Sequence, residues 1–227
     1  MSERRAALLI VLGTAVASSA CGGPESRVVD QYFNALKQND SQTITSFALV
    51  AFDKKVDNWK ITGTEPETKA PATLPELSKK VRDLDAELAA NKKASQNYAN
   101  EAEGKRFLQI QEVKELQKKN AKISANLAPV AAAWDKFNEK DHDLKKALAD
   151  AKDAVEKEKR RVVLSLGQVE DVENQPAQVT TRKVGLSLTI AGEAKPYVMT
   201  LRKYDLTGDK APRVTSRWVV ESLTPRT

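Results

Sequence analysis

The sequence predicts an α+β fold in which a long antiparallel helical hairpin interrupts a domain of helices and antiparallel strands. Apolar residues recur every three or four positions through residues 73–160, which is the spacing of a coiled-coil seam. Residues 184–190 instead alternate between apolar and polar side chains, as in a half-buried strand. The 227 residues therefore divide into one small globular domain and one helical arm.

Residues 1–20 have the features of an export signal and are excluded from the fold. Arg4 and Arg5 form a basic start, and an apolar stretch too short to span a bilayer follows. Small residues then precede Cys21, the single cysteine of the chain. This pattern resembles a bacterial lipoprotein signal, although Ser18 stands where leucine is commonest. The resemblance implies that Cys21 is acylated, and residues 21–25 are expected to be a tether. Ordinary secretion and an uncleaved anchor are the alternatives.

The first half of the globular domain is predicted over residues 26–72. Ser26 is a candidate N-cap for a first helix, and Asp40 is a candidate N-cap for a second helix. Residues 58–64 have the composition of a strand, and residues 66–71 are expected to be a linker into the arm. The apolar face of the first helix consists of Val28, Val29, Tyr32, Ala35 and Leu36.

The arm begins at a capping box formed by Thr73 and Glu76. Its two apolar series fit together as an antiparallel hairpin folded about Leu116. In this register Asn91 falls opposite Asp141, a polar layer that would fix the alignment of the two helices. Gly104 and Pro129 fall at nearly the same height and predict a joint kink. The facing apolar pairs include Leu77 with Val155, Val81 with Ala151, Leu84 with Leu148, Leu88 with Leu144, and Tyr98 with Trp134.

The tip of the arm, residues 105–128, contains no glycine or proline turn, so the path of the chain is left open, with one crosswise helix as the alternative. Four apolar residues are crowded here, and part of this cluster is expected to be exposed and to bind a partner. Packing within the tip itself is the alternative explanation. The four residues are Phe107, Leu108, Ile110 and Val113.

After the arm, the sequence predicts an antiparallel meander in the second half of the domain, residues 161–227. Gly192 is placed in a hairpin loop, and residues 205–212 in a longer turn. The strands are predicted at residues 162–172, 184–190, 197–204 and 214–223.

Two short motifs resemble a known superfamily. Residues 28–40, VVDQYFNALKQND, resemble the first helix of the nuclear transport factor and ketosteroid isomerase superfamily, and residues 217–223, RWVVESL, resemble its closing strand. The resemblance implies a cone-like domain of helices on a curved antiparallel sheet, which the arm splits in two. It also implies a pocket inside the cone, for which the candidate lining residues are Tyr32, Trp59, Tyr197 and Trp218.

The composition argues against several classes of function. The net charge is +6, but the basic residues occur as dispersed lysine pairs without interleaved aromatic residues, so no nucleic-acid partner is expected. One histidine and one cysteine exclude a His/Cys metal cluster. The histidine, His142, lies in a charged stretch of the arm. No catalytic residue set, cofactor site or metal site is therefore predicted.

These observations predict a non-enzymatic, lipid-anchored protein on the periplasmic or extracytoplasmic side of a bacterial cell envelope. Cys21 would hold the protein to the membrane. The arm would contact an envelope protein partner or a second copy of the chain. An enzyme or a small-ligand binder that uses the cone pocket is the alternative. A periplasmic adaptor of the efflux type is less favoured, because such adaptors flank their hairpin with two small β halves.

Replacement of the anchoring residue tests the lipoprotein interpretation. In the Cys21→Ser variant we expect the protein to move from the membrane fraction to the soluble fraction, because acyl chains contribute about 0.8 kcal/mol per buried methylene. Immunoblots of fractionated cells measure the distribution. A protein that stays with the membrane in this variant would contradict lipid anchoring.

Overall fold

The computed structural model describes residues 23–101, 104–208 and 214–226 and confirms an α+β fold with a five-stranded antiparallel sheet. The helical hairpin is inserted between the second and third strands. The helices are α1 (Pro24–Lys37), α2 (Ser41–Phe47), α3 (Leu74–Asn100), α4 (Lys105–Lys118) and α5 (Ala128–Leu166), with one 3-10 turn at Val172–Asn174. The strands are β1 (Asn58–Thr64), β2 (Thr68–Pro71), β3 (Ala177–Ile190), β4 (Glu193–Leu206) and β5 (Val219–Pro225).

The sheet is organised by the pairing of β3 with β4, which extends over all 14 residues of β3. The two strands are joined by Ala191 and Gly192, both with positive φ, as a two-residue primed turn requires. The predicted hairpin at Gly192 is therefore confirmed. On its other edge, β3 pairs first with β2 and then with β1, one after the other along the strand. β5 pairs with β4 and completes the sheet.

Helices α1 and α2 cover one face of the sheet. Val29, Tyr32 and Phe33 of α1 pack against a set of strand residues that point to the same side. Asn39, at φ 53°, ends α1 in the left-handed conformation, and Asp40 then begins α2 by accepting a hydrogen bond from the Thr43 N–H. The predicted cap at Asp40 is thus confirmed. The strand residues of this core are Val184, Leu186, Leu188, Tyr197, Met199, Leu201 and Val220.

The base of the arm packs on the opposite face of the sheet. Val179 and Tyr204 are paired within the unbroken β3–β4 register, and side chains alternate along a strand. These two side chains therefore point away from Val184 and Met199. They form a second core with the two arm helices, in which the helical residues include Leu74, Val155, Val162 and Leu166. The two long strands thus support the α1–α2 layer at one end and the arm at the other.

A buried polar network ties the arm to the sheet at this second core. The Tyr204 hydroxyl donates a hydrogen bond of 2.7 Å to Glu158, whose side chain is almost fully buried. Arg161 lies 3.0 Å from the same carboxylate and 3.3 Å from Glu221 of β5. The pairing of β5 with β4 ends at Arg202, so the backbone N–H of Tyr204 has no partner in β5. This N–H donates a hydrogen bond to the Ser165 hydroxyl instead. About two turns of α5 therefore contact two strands through directional bonds.

The two long helices of the arm, α3 and α5, pack side by side in the antiparallel arrangement that the sequence predicts. The Asn91 side-chain amide donates a hydrogen bond of 3.1 Å to the carbonyl of Phe137, and the rings of Tyr98 and Phe137 lie 5.6 Å apart. Asp141 forms an ion pair with Lys145 of its own helix. The polar layer is therefore a bond between a side chain and the backbone, and Asp141 does not provide its partner.

Several predicted boundaries are wrong. Residues 162–166 continue α5 and are not a strand, because Val162 and Leu166 extend the helical spacing of Val155 into the second core. The expected linker at residues 66–71 contains β2, which pairs with β3. The last strand begins at Val219 and not at residue 214. The strands predicted at 184–190 and 197–204 are each longer, and the predicted turn at 205–212 lies partly outside the described residues.

The predicted helix starts also need correction. The first helix begins at Pro24, so Pro24 and Glu25 are not part of a tether, and Glu25 is buried in an ion pair with Arg182. Ser26 lies in the first turn and donates to the carbonyl of Gly23, the actual N-cap. Thr73 is the N-cap of α3, but its side chain makes no capping bond, so the capping box is not formed.

Removal of one hydroxyl tests the network at the base of the arm. Tyr204→Phe leaves the buried Glu158 carboxylate without its 2.7 Å donor, so we expect the free energy of unfolding to fall by about 1–3 kcal/mol. Urea unfolding followed by circular dichroism measures the change. Tyr197→Phe is the matched control, since Tyr197 is also buried but packs through its ring. Equal losses in both variants would contradict a specific role for the Tyr204–Glu158 bond.

The same variant should change how stability depends on pH. Burial, together with the hydrogen bond to Glu158, raises the pKa of Tyr204 well above its ordinary value. The folded protein therefore holds this proton more tightly than the unfolded chain, and stability should decline as the pH rises past about 10, the ordinary tyrosine pKa. Tyr204→Phe should show a shallower decline than the wild type.

Candidate functional site

The tip of the arm is a small three-helix cluster, and the chain passes through it as one helix, α4. α4 packs against both α3 and α5 near the far end of the hairpin. Gly104, at φ 83°, is the N-cap of α4, and Pro129 lies in the first turn of α5. Both residues therefore stand at helix starts, where a left-handed glycine or a missing N–H is tolerated. The predicted kink at these positions is replaced by the entry into α4 and the beginning of α5.

The C-terminus of α4 is formed by a Schellman motif. Asn120 has a φ of 51°, and its N–H bonds to the carbonyl of Gln117 at 3.0 Å. The next N–H, that of Ala121, bonds to the carbonyl of Leu116 at 2.9 Å. Asparagine tolerates the left-handed region better than most residues. Asn120 is therefore the sequence signal that a search for glycine or proline turns missed.

The four predicted partner-binding residues divide into two pairs. Ile110 and Val113 are fully buried in the core of the tip, so they are not available to a partner in this conformation. Phe107 and Leu108 point outward and are 50% and 67% exposed. The remaining buried residues of this core are Leu127, Val130 and Ala131, with Tyr98, Leu116, Ile123 and Trp134 packed against them.

Phe107 and Leu108 are unusual among the described residues. Only three large hydrophobic side chains in the described ranges are exposed, and these two are neighbours in the first turn of α4. Around them the surface is polar, with Lys105, Gln111 and Glu112 all exposed. An apolar pair with a polar rim at the end of a support is the arrangement of a contact site.

Polar contacts hold α4 in place beneath this pair. The Arg106 guanidinium lies 5.1 Å from the centre of the Tyr98 ring and 3.7 Å from Glu101. The Lys114 ammonium lies 4.7 Å from the centre of the Trp134 ring. Gln117 donates a hydrogen bond of 3.1 Å to Asp135 of α5. Both ends of α4 are therefore held against α3 and α5, which fixes the position of its outward face.

Of the four candidate pocket residues, two are buried in the core of the globular domain and two are partly buried against it. Tyr32 is fully buried, donates to the carbonyl of Val50 at 3.0 Å, and has its pKa raised by burial to about 12. Trp59 stacks on Phe33 with ring centres 5.1 Å apart. Tyr197 is buried, and Trp218 packs against the same cluster. Aromatic side chains more often fill a core than line a site, and Tyr32 and Tyr197 do so here.

A surface cavity of about 680 Å³ lies elsewhere, between the end of α1 and the loop before β1. Lys37, Lys54 and Lys55 line it together with Asp53 and Asp57. Charges of both signs stand side by side there, and no histidine or cysteine is among the lining residues. This cavity therefore favours no single class of ligand.

Two further predicted positions are His142 and Cys21. His142 is exposed on α5, and Cys21 lies outside the described residues, so lipidation stays a prediction. Within residues 23–101, 104–208 and 214–226, no three His, Cys, Asp or Glu side chains are grouped closely enough to hold a metal ion. No helix in these ranges has the length and apolar character needed to cross a membrane.

Comparison with known proteins gives no relative. No protein family, curated protein or solved structure matches this chain. The geometry of the tip and the chemistry of the sequence are therefore the basis for any functional assignment.

Proposed function

We propose that this protein is a lipid-anchored, non-enzymatic interaction module of the cell envelope, which binds an envelope protein through the tip of its helical arm. The anchor part of the proposal rests on the sequence pattern that ends at Cys21. The binding part rests on one observation, the exposure of Phe107 and Leu108 on a helix whose opposite side is fully packed.

An apolar pair of this kind suits an interface because little has to change when a partner binds. The backbone of α4 is held by the buried Ile110 and Val113, so only the two outward side chains lose freedom. Aromatic side chains that bury their area against a partner often contribute about 2 kcal/mol or more. Phe107 is the natural anchor, and Leu108 extends the same contact.

The length of the arm supports a role in reaching a partner. α5 contains 39 residues, which corresponds to about 58 Å at 1.5 Å per residue. Its base is held to the sheet by the Glu158 network, so the tip is carried at the end of a stiff support. A binding site beside the globular domain would need only a short surface loop and no arm of this length.

The alternative, an enzyme or small-ligand binder that uses a pocket in the cone, has less support. That function needs an open concave site. Of the four candidate residues, Tyr32 and Tyr197 are buried in the core, and Trp59 and Trp218 are partly buried against it.

Site-specific photo-crosslinking in intact cells tests the proposal. A photoreactive amino acid at Gln111, which is exposed one turn after Phe107, should form an adduct with the partner. Phe107→Ser combined with Leu108→Ser should remove this adduct, since the apolar anchors are lost. Because both side chains are exposed, the same double variant should change the free energy of unfolding by no more than about 0.5 kcal/mol per site.

Ile110→Ser is the matched control, because Ile110 lies in the same helix but is buried. It should lower stability by about 2–5 kcal/mol, as expected for a truncated core residue. If the adduct at position 111 persists in the Phe107/Leu108 double variant while the arm stays folded, the tip is not the binding site.

A further inference from the structure

We propose that two copies of this chain associate through α5, with their arms antiparallel. The surface concerned is the charge stripe, defined here as Lys136, Glu139, Lys140 and Asp143. All four side chains are exposed and lie on one face of the helix, at spacings of three and four residues. This inference does not depend on the tip or on a heterologous partner.

The four charges of the stripe form no ion pair with other described residues of their own chain. Elsewhere on this helix, Asp141 pairs with Lys145 at 2.7 Å and Asp153 with Lys157 at 2.6 Å, each one turn apart. Four residues apart the stripe carries like charges, Lys136 with Lys140 and Glu139 with Asp143, and three residues apart it carries opposite charges, Lys136 with Glu139 and Lys140 with Asp143. Within one helix these repulsive and attractive neighbours offset each other.

A second copy supplies opposite charges across the interface. When α5 is placed against another α5 in antiparallel fashion, with the two-fold axis between residues 139 and 140, Lys136 faces Asp143 of the other copy. Glu139 then faces Lys140, and the symmetry repeats both pairs. The order of signs along the stripe, plus, minus, plus, minus, is therefore complementary to its own reverse. A parallel arrangement would instead place like charges together.

The surroundings of the stripe allow two helices to approach closely. In the same register, Ala132 of one copy faces Ala147 of the other, so methyl groups meet at both ends of the stripe. Lys136 and Lys140 also border two shallow grooves of about 500 and 370 Å³. The first groove lies between α3 and α5 and the second along α5. Their lining includes Ala90, Ala94, Ala133, Phe137, Leu144 and Ala147.

The antiparallel arrangement leaves room for the globular domains. At 1.5 Å per residue, the proposed two-fold axis lies roughly 17 Å along α5 from the start of the helix at Ala128. It lies roughly 34 Å from Val162, which is buried in the second core at the base of the arm. The tip of one arm therefore ends before the globular domain of the other copy. The two domains would lie at opposite ends of a four-helix bundle formed by the paired arms.

Reciprocal charge reversal tests this association in the full chain, purified in detergent. Multi-angle light scattering should give twice the mass of one chain for the wild type. Lys136→Glu with Lys140→Glu makes the stripe wholly acidic, and Glu139→Lys with Asp143→Lys makes it wholly basic. Each variant alone should be monomeric, with a dimer dissociation constant at least tenfold higher. An equimolar mixture should restore the dimer, with one copy of each variant.

Lys54→Glu with Lys55→Glu is the matched control for the acidic variant, because it makes the same change in net charge on exposed residues in the loop before β1, away from the arm, and should leave the dimer intact. Recovery in the mixture shows that the reversed variants are folded. If a reversed variant has lost helical content, Lys136→Gln with Lys140→Gln takes its place and should also weaken the dimer at least tenfold. A monomeric wild type, unaffected dimerisation in the reversed variants, or a monomeric mixture of two helical variants would each overturn the proposal.

Discussion

The unbroken pairing of β3 with β4 is the constraint on which the rest of the structure depends. A side-chain period of two, maintained over 14 paired residues, assigns every side chain of the two strands to one face or the other. Val184 and Met199 face α1, whereas Val179 and Tyr204 face the arm. A one-residue slip would move both sets of apolar side chains away from their helices, so the two cores hold the same register in place.

The arm is held to this sheet by geometry more than by the strength of any one charge. Burying Glu158 costs solvation energy, which its ion pair with Arg161 offsets only in part. The network is directional, however, because Tyr204, Arg161 and Ser165 each bind a different atom of the helix–sheet junction. These bonds add to the apolar packing of Leu74, Val155 and Val162 in the second core. The polar junction selects one direction for a helix that is 39 residues long.

The sequence predicted those parts of the fold in which one periodicity dominates. The heptad spacing predicted the hairpin, and the alternation in residues 184–190 predicted the strand, since each pattern matches one kind of packing. The prediction was wrong for residues 162–166, a short apolar run that fits a buried strand or a buried helix equally well. What decides between them is Val162 and Leu166 in the second core, a long-range contact that local spacing does not contain.

The candidate site was predicted in part, for a similar reason. The apolar cluster at the tip was visible in the sequence, but its division into buried and exposed pairs depends on where α4 lies. That position follows from Gly104 and Asn120, which begin and end the helix. It also follows from the packing of α4 against Leu127 and Val130 at the start of α5. Sequence spacing alone placed Ile110 and Phe107 in one group, whereas the packing separates them.

The two surfaces of the arm differ in symmetry, and this separates their roles. The charge stripe is complementary to its own reverse, so in the proposed dimer it would pair two chains and leave no stripe free. Phe107 and Leu108 have no such complement, because an apolar pair at one end of the arm does not meet its copy across the same axis. In an antiparallel pair the two tips lie on opposite sides of the axis, roughly 35 Å apart or more, given a half-length of about 17 Å along α5. The proposed self-association and the proposed partner binding would therefore use different parts of the arm, and one would not block the other.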